Sequence, residues 1–401
     1  MRYERDPVDP FADSARPNLA RKGRGAASNK AGRFEPGERP LENDGWDETR
    51  TGDGESFSGL TFKGVPLNLS AKPVPKGGDD DELPPLKTQV ALDTARSIIA
   101  RNNSPDIPFD QSINSYRGCE HGCIYCYARP THAYLGHSPG LDFETRLYAK
   151  ADAAALLERE LRKRSYRPDV LALGAVTDPY QPIERQYRVT RQMLKVLSDF
   201  NHPVGITTKS ARVLDDLDLL ADMARRRLVM VSMSVTSLDR DLSRKLEPRA
   251  STPANRLDAI GKLSAAGVPV AVSVAPIIPA LTDHEIEAII AAAADAGAQA
   301  VNWTVVRLPL EIKDLFAEWL VTHAPGKAKH VFSLIAQCHG GEIYRAEWGT
   351  RMKGQGPYAE MIRRRVEAAA RKHDLHRRQW NLDVTRFAVP REPDRQMELF
   401  C

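Results

Sequence analysis

Short apolar runs alternate with longer stretches of helical period between residues 111 and 309 of the chain. The runs are continuous rather than alternating in polarity, which is typical of strands buried on both faces of a parallel sheet. Six such β/α units with short connections predict an α/β fold, a partial (β/α)6 TIM-type barrel, with a doubly wound sheet as the alternative. The predicted strands are residues 112–117, 170–176, 204–208, 228–235, 268–275 and 300–306, and the predicted helices are residues 151–164, 185–200, 213–225, 252–266 and 284–296.

The regions on either side of this series differ from it in composition. Residues 1–90 are rich in glycine, proline and charged side chains and have no sustained period, which predicts a largely disordered N-terminal tail. Within the tail we interpret a basic patch, residues 21–34, and an acidic patch, residues 79–82, as solvated chain; contact with a phosphate backbone is the alternative for the basic patch.

The C-terminal region is helical and polar in pattern. Its clearest helix, predicted at residues 357–373, carries three consecutive arginines, and we interpret it as an amphipathic helix packed on the barrel, with contact to an anion as the alternative. The expected division is therefore a tail at 1–90, a barrel domain at 91–309 and a helical C-terminal extension at 310–401.

Composition limits the cellular compartments and the classes of partner that we expect for this protein. The 401 residues contain 57 Lys and Arg against 53 Asp and Glu, a net charge of +4, so no overall basic excess points to nucleic acid. The first ten residues lack the apolar core of a secretory signal, and no apolar run approaches the roughly 20 residues of a spanning helix. We expect a cytoplasmic protein with no membrane partner.

Three of the five cysteines lie within one short segment, Cys119, Cys123 and Cys126, which argues against a disulfide framework and for a metal-binding or reactive cluster. The segment follows the first predicted strand and so lies at the C-terminal mouth of a barrel, the face that carries active sites. Three closely spaced thiolates suit an iron-sulfur cluster with one iron left without a protein ligand. The alternative is a structural Cys3His zinc site using His121, His132 or His137, although structural zinc usually has two separated ligand pairs.

The CxxxCxxC loop, with an aromatic residue before its last cysteine and at the start of a β/α series, resembles the radical S-adenosylmethionine (SAM) superfamily. The resemblance implies that Cys119, Cys123 and Cys126 hold a [4Fe-4S] cluster, that SAM chelates the fourth iron, and that electron transfer produces a 5′-deoxyadenosyl radical. It also implies an electron donor, a reductant such as flavodoxin or ferredoxin.

Within that superfamily the chain is similar to the spore photoproduct lyase-like group, also labelled DNA repair photolyase-like, over about residues 117–306. By this resemblance Thr177 and Asp178 hold the amino end of SAM. Lys209 and Ser234 contact its carboxylate and ribose side, and Tyr125 lies against the adenosyl portion. A zwitterion does need an acceptor for its ammonium and a cation for its carboxylate. The matching stretches are residues 125–127, 176–178, 208–209, 234–237, 246–248 and 275–277.

One position departs from the group's pattern. Spore photoproduct lyases have a hydrogen-donating cysteine directly before the Ser/Thr-Asp pair, and Val176 stands there in this chain. Cys338 and Cys401 lie outside the matched region. We therefore expect a radical SAM enzyme, lyase-like in descent, that abstracts hydrogen from another substrate, with nucleic acid a candidate. The alternative is a non-catalytic Fe-S or zinc protein that binds nucleic acid.

Overall fold

The computed structural model describes residues 23–30, 32–34, 57–62, 65–69, 87–376 and 382–391. Its strands are β1 Phe57–Phe62, β2 Val65–Leu69, β3 Gln89–Leu92, β4 Ala100–Arg101, β5 Gln111–Ile113, β6 Tyr116–Arg117, β7 Arg146–Ala149, β8 Leu171–Leu173, β9 Val204–Thr208, β10 Val229–Ser234, β11 Val270–Ile277 and β12 Ala300–Val305. Its α-helices are α1 Asp142–Thr145, α2 Ala153–Leu161, α3 Glu184–Tyr187, α4 Val189–Asp199, α5 Leu217–Arg225, α6 Arg240–Leu246, α7 Pro253–Ala265, α8 Ile286–Asp295, α9 Ile312–His323, α10 Ala328–Cys338 and α11 Gly356–Lys372. Short 3-10 helices cover Arg129–Leu135, Ala211–Asp216, Asp283–Glu285, Pro325–Lys327 and Val384–Arg386.

The central sheet confirms the predicted β/α series. Strands β5, β8, β9, β10, β11 and β12 lie side by side in chain order and pair in parallel, and β4 is added antiparallel at the β5 edge. The sheet is open in the described residues because β12 and β4 remain its edges. This is the α/β partial barrel that the continuous apolar runs indicated.

Parallel pairing places the carboxyl ends of consecutive strands at one edge. In the register of β9, β10 and β11, Thr208 lies beside Met233, and Ser234 lies beside Ser273. The residues that directly follow each strand therefore meet at this edge, which is where a barrel of this kind places its chemistry.

Two predicted elements are interrupted in the structure. The first strand divides into β5 and β6, and β6 pairs with β7 in a separate three-stranded sheet with β3. The helix predicted at residues 185–200 divides into α3 and α4 at Arg188, whose φ of 53° lies in the left-handed region. A residue in that conformation cannot continue an α-helix.

Other boundaries follow from local chemistry. Helix α7 begins after Thr252, whose hydroxyl accepts the Asn255 N–H at 3.3 Å, and Pro253 occupies its first turn, as expected for an N-terminus. Beyond the barrel, α11 packs against both α8 and α10, and the Val305 N–H donates to the Met352 carbonyl at 2.9 Å. The C-terminal extension is thus helical and joined to the last strand.

One interpretation of the tail is wrong. Residues 23–30 are not a solvated chain, because Arg24 is 7% exposed, Ala26 is 1% exposed, and the segment packs against the loop that contains the cysteines. The acidic patch at residues 79–82 lies outside the described residues. Across the described ranges, no helix combines the length and apolar character needed to cross a membrane.

Candidate functional site

The cysteine loop begins at Gly118, directly after β6. Gly118 has a φ of 74°, and a Cβ there would lie 2.6 Å from Leu147 Cδ2, so both conformation and space demand glycine. The loop then turns twice, with the Gly122 N–H donating to Cys119 O at 3.4 Å and the Cys126 N–H donating to Cys123 O at 3.2 Å. The result is a compact loop that carries all three thiols.

The three thiols are largely shielded from solvent. Cys119 and Cys123 are each 7% exposed, and Cys126 is partly buried. Burial raises the pKa of all three thiols, and each of Cys119 and Cys123 also has its pKa raised by the charge of Cys126. Metal binding requires the thiolate form, so binding of a metal ion would release the protons that burial favours on these thiols.

A buried ion pair supports the loop from beneath. Arg129 is fully buried, and its five N–H donors all have acceptors: Nη2 contacts the Glu144 carboxylate at 2.5 Å and Gly122 O at 3.1 Å, and Nε contacts Cys123 O at 2.9 Å. The two Nη1 donors contact the carbonyls of residues 139 and 140. A buried guanidinium with every donor satisfied holds its partners in one geometry.

Asp178 follows β8 and connects the cysteine loop with the end of β9. Its carboxylate accepts hydrogen bonds from Thr208 Oγ1 at 2.7 Å, the Lys209 N–H at 2.7 Å and the Tyr180 N–H at 2.9 Å. His121 Nδ1 lies 3.4 Å from Oδ2. Burial opposes ionisation, but His121 and these hydrogen bonds outweigh it and lower the Asp178 pKa. Protein groups therefore already occupy most of its acceptor sites.

Lys209 belongs to a buried charged network with Glu247. Its Nζ lies 3.4 Å from Glu247 Oε1, donates to Ala275 O at 3.1 Å, and lies 5.7 Å from the Tyr125 ring centre. Glu247 also accepts from the Tyr125 hydroxyl and, at 2.7 Å, from Thr236 Oγ1. The ammonium that was predicted to meet SAM thus has a fixed position beside Tyr125.

Arg256 completes this network from α7. Its Nη2 pairs with Glu247, and its Nη1 donates to Ser234 O at 3.0 Å. Burial disfavours the Glu247 carboxylate, but Arg256 and then Lys209 outweigh it and hold the pKa of Glu247 far below its usual value. Glu247 and Arg256 are 2% and 1% exposed, so the charges compensate each other out of contact with water.

The two remaining predicted residues lie at the same edge. Thr177 is buried, donates from Oγ1 to Tyr116 O at 3.1 Å, and its N–H donates to the Asn114 side chain at 3.3 Å. Ser234 is 5% exposed at the end of β10. The structure therefore gathers Tyr125, Asp178, Lys209 and Ser234 through direct or shared contacts, and Thr177 precedes Asp178 in the chain.

Sequence reasoning missed the groups that hold these residues in place. Glu247 lies in one of the matching stretches, but no role was predicted for it; the nearby Thr236 was also passed over. Arg129 and Glu144 gave no periodic or spacing signal. Each of these charged residues pairs with a residue that does not lie at helical or strand spacing from it in the sequence. Only the fold therefore reveals the pairing.

An open side of the site lies next to Cys126. Tyr127 is 47% exposed, its hydroxyl donates to Ala175 O, and the Arg307 guanidinium lies 4.6 Å from its ring centre. Val176 is 38% exposed, and its N–H donates to Asn114 Oδ1 at 2.9 Å. The open side beside the cysteine loop therefore carries the aromatic ring of Tyr127, the guanidinium of Arg307 and the aliphatic side chain of Val176.

Two adjoining cavities, of about 460 and 310 Å³, lie on another side of the loop. Both are lined by Arg185 and Arg249, and Arg249 pairs with Glu120 at 2.9 Å. The smaller cavity is also lined by Arg212 and His121. Arginines therefore surround the approach to the loop at His121.

The other cysteine and histidine candidates are placed elsewhere. Cys338 is fully buried in the main core at the end of α10, and burial raises its pKa to about 12. His132 Nε2 lies 2.8 Å from Arg146 O, and His137 Nε2 lies 2.5 Å from the Tyr148 hydroxyl. Cys401 lies outside the described residues.

Comparison with known proteins identifies the family. The Radical SAM superfamily model matches residues 113–293. The protein Rv2578c of Mycobacterium tuberculosis, described as uncharacterized, is 36% identical over 280 residues, covering 68% of this chain and 77% of that protein. The chain belongs to the radical SAM superfamily. MJ0683 of Methanocaldococcus jannaschii, also described as uncharacterized, is 29% identical over 176 residues, 43% of this chain and 62% of that protein.

Solved structures agree on the fold of this radical SAM protein. Spore photoproduct lyase complexed with dinucleoside spore photoproduct superposes with a TM-score of 0.50 at 17% identity, over 71% of this chain and 78% of that one. A variant of the same lyase with bound AdoMet and dinucleoside spore photoproduct gives a TM-score of 0.50 at 16% identity, with the same coverage. At these identities the likeness describes the fold alone.

The cofactors of this radical SAM protein are a [4Fe-4S] cluster and SAM. The donor chemistry of the cysteine loop fits such a cluster, because three soft thiol donors share one buried loop. Among the described residues, no group of three or more His, Cys, Asp or Glu side chains is arranged to hold a metal ion. A [4Fe-4S] cluster requires a different arrangement of ligands from a single metal ion, because each of the three thiolates binds a different iron atom.

Proposed function

We propose that this protein reductively cleaves SAM and abstracts a hydrogen atom from a substrate, with Cys119, Cys123 and Cys126 holding the [4Fe-4S] cluster. When bound, the cluster and SAM supply the electron and the hydrogen-abstracting radical. The observation that supports the proposal most is the direct neighbourhood of the three-cysteine loop and a charged network at the strand ends, which meet at Tyr125. The chain supplies ligands, orientation and exclusion of water.

Lys209 is the residue that we assign to the SAM carboxylate. Its Nζ is anchored by Glu247 and Ala275 O and lies beside Tyr125, next to the last cluster cysteine in the chain. A pre-positioned ammonium complements a carboxylate without losing side-chain freedom on binding. Tyr125 would then line the adenosyl portion, as the resemblance implies.

Asp178 takes a narrower part in the proposal. Since Thr208, Tyr180 and Lys209 already donate to its carboxylate, we assign Asp178 to holding the Lys209 backbone and His121 in position. Thr177 and Ser234 remain the proposed polar groups for the amino end and ribose side of SAM. Both are buried at the carboxyl edge of the sheet, Thr177 after β8 and Ser234 at the end of β10, with β9 between them.

The electron must come from outside the chain, and we propose an acidic carrier such as flavodoxin or ferredoxin. Arg185, Arg212 and Arg249 line the cavities at the outer side of the loop, and His121, which lies between the first two cluster cysteines in the chain, lines the smaller one. Complementary charge steers such encounters. A cytoplasmic location belongs to the same proposal, because the cluster thiols must stay reduced.

For the substrate we propose a nucleic acid, acted on in a lyase-like or related reaction. Support comes from Tyr127 and Arg307, since an exposed aromatic ring under a guanidinium is a surface on which a base can stack. The reaction differs from spore photoproduct repair in how the substrate radical receives its hydrogen. Val176 has only C–H bonds to offer at the open side of the site.

The substrate proposal is tested by isotope transfer. Reconstituted protein is incubated anaerobically with SAM, dithionite and a DNA or RNA oligonucleotide deuterated in sugar and base, and the 5′-deoxyadenosine is analysed by mass spectrometry. Deuterium in that product, lost in Tyr127→Ala with iron content unchanged, supports a nucleic-acid substrate. Unlabelled product formed at the same rate with and without every oligonucleotide contradicts it.

A further inference from the structure

The N-terminal segment at residues 24–30 packs against the cysteine loop through backbone and side-chain contacts. The N–H groups of Gly25 and Ala26 donate to the Glu144 carboxylate at 3.0 and 2.9 Å. Glu144 is the carboxylate that pairs with Arg129, whose other donors hold Gly122 O and Cys123 O. Two buried residues, Glu144 and Arg129, therefore connect the segment with the loop carbonyls.

Arg24 makes a second connection to the loop. Its guanidinium donates to Glu144 O at 2.8 Å and to Thr88 Oγ1 at 3.0 Å, and Thr88 in turn donates to Glu120 at 2.5 Å. Glu120 lies between the first two cluster cysteines in the chain. Arg24 is 7% exposed, and its contact with Glu144 O is buried.

Gly25 in this segment and Gly140 just before α1 allow close approach of two backbones rather than flexibility. A Cβ on Gly25 would lie 1.8 Å from Gly122 O, and a Cβ on Gly140 would lie 2.2 Å from Ser28 O. Real Cβ atoms do not come that close to an oxygen, so neither backbone contact permits a side chain. The basic, glycine-rich composition that predicted a solvated tail is therefore explained by packing.

The far end of the segment is fixed to two other elements. Asn29 and Asp142 exchange two hydrogen bonds of 3.0 Å at the start of α1. Ser28 Oγ donates to Glu318 at 2.6 Å, and Lys30 pairs with Glu318 at 2.8 Å on α9. Residues 24–30 thus span from the cysteine loop to the C-terminal extension.

Apolar packing under the segment connects it with the cluster ligands. Ala26 is 1% exposed and shares one hydrophobic cluster with Cys123, Ile124 and Tyr125. Removal of the segment would open this cluster and the Glu144 carboxylate to water. A side of the loop different from the arginine-lined cavities is therefore covered by residues that lie about ninety positions earlier in the chain.

We propose that residues 24–30 form a strap that holds the cysteine loop in its ligand-presenting conformation and restricts solvent access to the cluster. The inference rests on the proposed function only in taking the three cysteines as cluster ligands. Docking of the strap is a property of the protein chain itself, so it can be measured without iron. Gly25, Arg24 and Glu144 are positioning residues, because they act through the loop.

The test compares Gly25→Ala with Gly326→Ala in the full-length chain. A Cβ on Gly25 collides with Gly122 O, whereas no heavy atom lies within 4 Å of a Cβ on Gly326. Two quantities are measured: hydrogen exchange of the amides at residues 119–126 in the iron-free protein, and the rate at which a ferrous chelator removes iron from the anaerobically reconstituted protein.

We expect Gly25→Ala to raise both the exchange of the loop amides and the iron-release rate by about tenfold or more, because the loop opens locally more often once the strap no longer holds it. Gly326→Ala stays at the wild-type values. Glu144→Gln, which keeps the shape of the side chain, provides a second variant should Gly25→Ala not fold, and is expected to change both quantities in the same direction.

The strap proposal would be overturned if, in both variants, the exchange rate of the loop amides and the iron-release rate stayed within a factor of about two of wild type. Faster exchange in the iron-free variants, combined with a protein that binds no cluster at all, would instead preserve the strap and contradict the proposed function. The two failures are therefore distinguishable.

Discussion

At the scale of single residues, the site depends on charged groups that compensate each other in a dry environment. Glu247 accepts from a lysine, an arginine, a tyrosine and a threonine, and this arrangement keeps Lys209 beside Tyr125. A buried carboxylate is stable only with such partners. Lys209 therefore has a fixed position, from which we propose that it contacts the SAM carboxylate.

Replacing Lys209 by methionine is expected to weaken SAM binding and to leave bound iron unchanged. The lost charge-assisted contact amounts to about 1.5–3 kcal/mol, or roughly ten- to a hundred-fold in affinity. Asp178→Asn is expected to weaken SAM binding less, because Asp178 acts through the Lys209 backbone and His121. Equilibrium dialysis with labelled SAM measures both, and Lys262→Met, an exposed lysine on α7, is the control. Wild-type affinity in Lys209→Met would remove Lys209 from the SAM site.

In the proposed function, Val176 stands where spore photoproduct lyases have a hydrogen-donating cysteine, so the side chain at this position bears on how a substrate radical is terminated. With an aliphatic side chain there, the protein is expected to convert spore photoproduct dinucleotide inefficiently and to yield mainly reductant adducts, because C–H bonds are stronger than S–H. Val176→Cys is expected to raise the yield of clean thymidylyl-thymidine, and Val389→Cys, a thiol at another exposed valine, is not. Chromatography of anaerobic reactions gives the yields. Rapid, clean repair by the wild type would contradict the expectation.

At the scale of elements, the sequence predicted the strands that are buried on both faces. The strand at residues 204–208 has its predicted bounds, but its burial alternates, with Val204 and Ile206 buried and Thr207 exposed, so this strand is less fully covered than its apolar run implied. The break at Arg188 and the split of β5 from β6 were missed, because both depend on backbone conformations set by tertiary contacts. The strap was missed for the same reason: Gly25 contacts residues about a hundred positions away.

The buried Arg129–Glu144 pair is the element-level support of the cysteine loop. Arg129→Met leaves Glu144 buried without its cation and backbone carbonyls of the loop without donors, so we expect the free energy of unfolding to fall by about 3–5 kcal/mol. Urea denaturation measures the loss, and Arg363→Met, at an exposed ion pair on α11, should change stability by less than about 1 kcal/mol. Arg129→Met with the stability of the Arg363 variant would show that the pair does not support the loop.

At the scale of the whole molecule, two fully buried histidines predict acid sensitivity. Burial lowers the pKa of His132 and His202 to about 4. The unfolded chain binds these protons below about pH 6.5, whereas the native protein does not until about pH 4, so stability is lost as the pH falls through this range. At pH 5 each histidine costs roughly 2 kcal/mol.

Urea denaturation at pH 7 and pH 5 tests this expectation. The difference in unfolding free energy between the two pH values should shrink by about 2 kcal/mol in His202→Gln, which does not titrate. An unchanged difference would mean that His202 is not buried in its neutral form.

Features that depend on local sequence could be predicted, and features that depend on long-range contacts could not. The barrel series and the cysteine loop could be predicted because both are local patterns of polarity and spacing. The compensating charges of Glu247, Arg256 and Arg129, and the closure of the loop by residues 24–30, join distant parts of the chain and have no local signal. These long-range contacts convert a cysteine motif into a buried site.

Iron content and SAM cleavage, measured on one preparation, decide between a radical SAM enzyme and a non-catalytic protein. The anaerobically reconstituted protein is analysed for iron and sulfide, reduced with dithionite and incubated with SAM, alongside Cys126→Ala. We predict a four-iron cluster and SAM-derived 5′-deoxyadenosine in the wild type, with both lost in the variant. Wild-type protein that holds no iron-sulfur cluster, or that carries one and leaves SAM intact, would contradict this prediction and favour a non-catalytic metal protein.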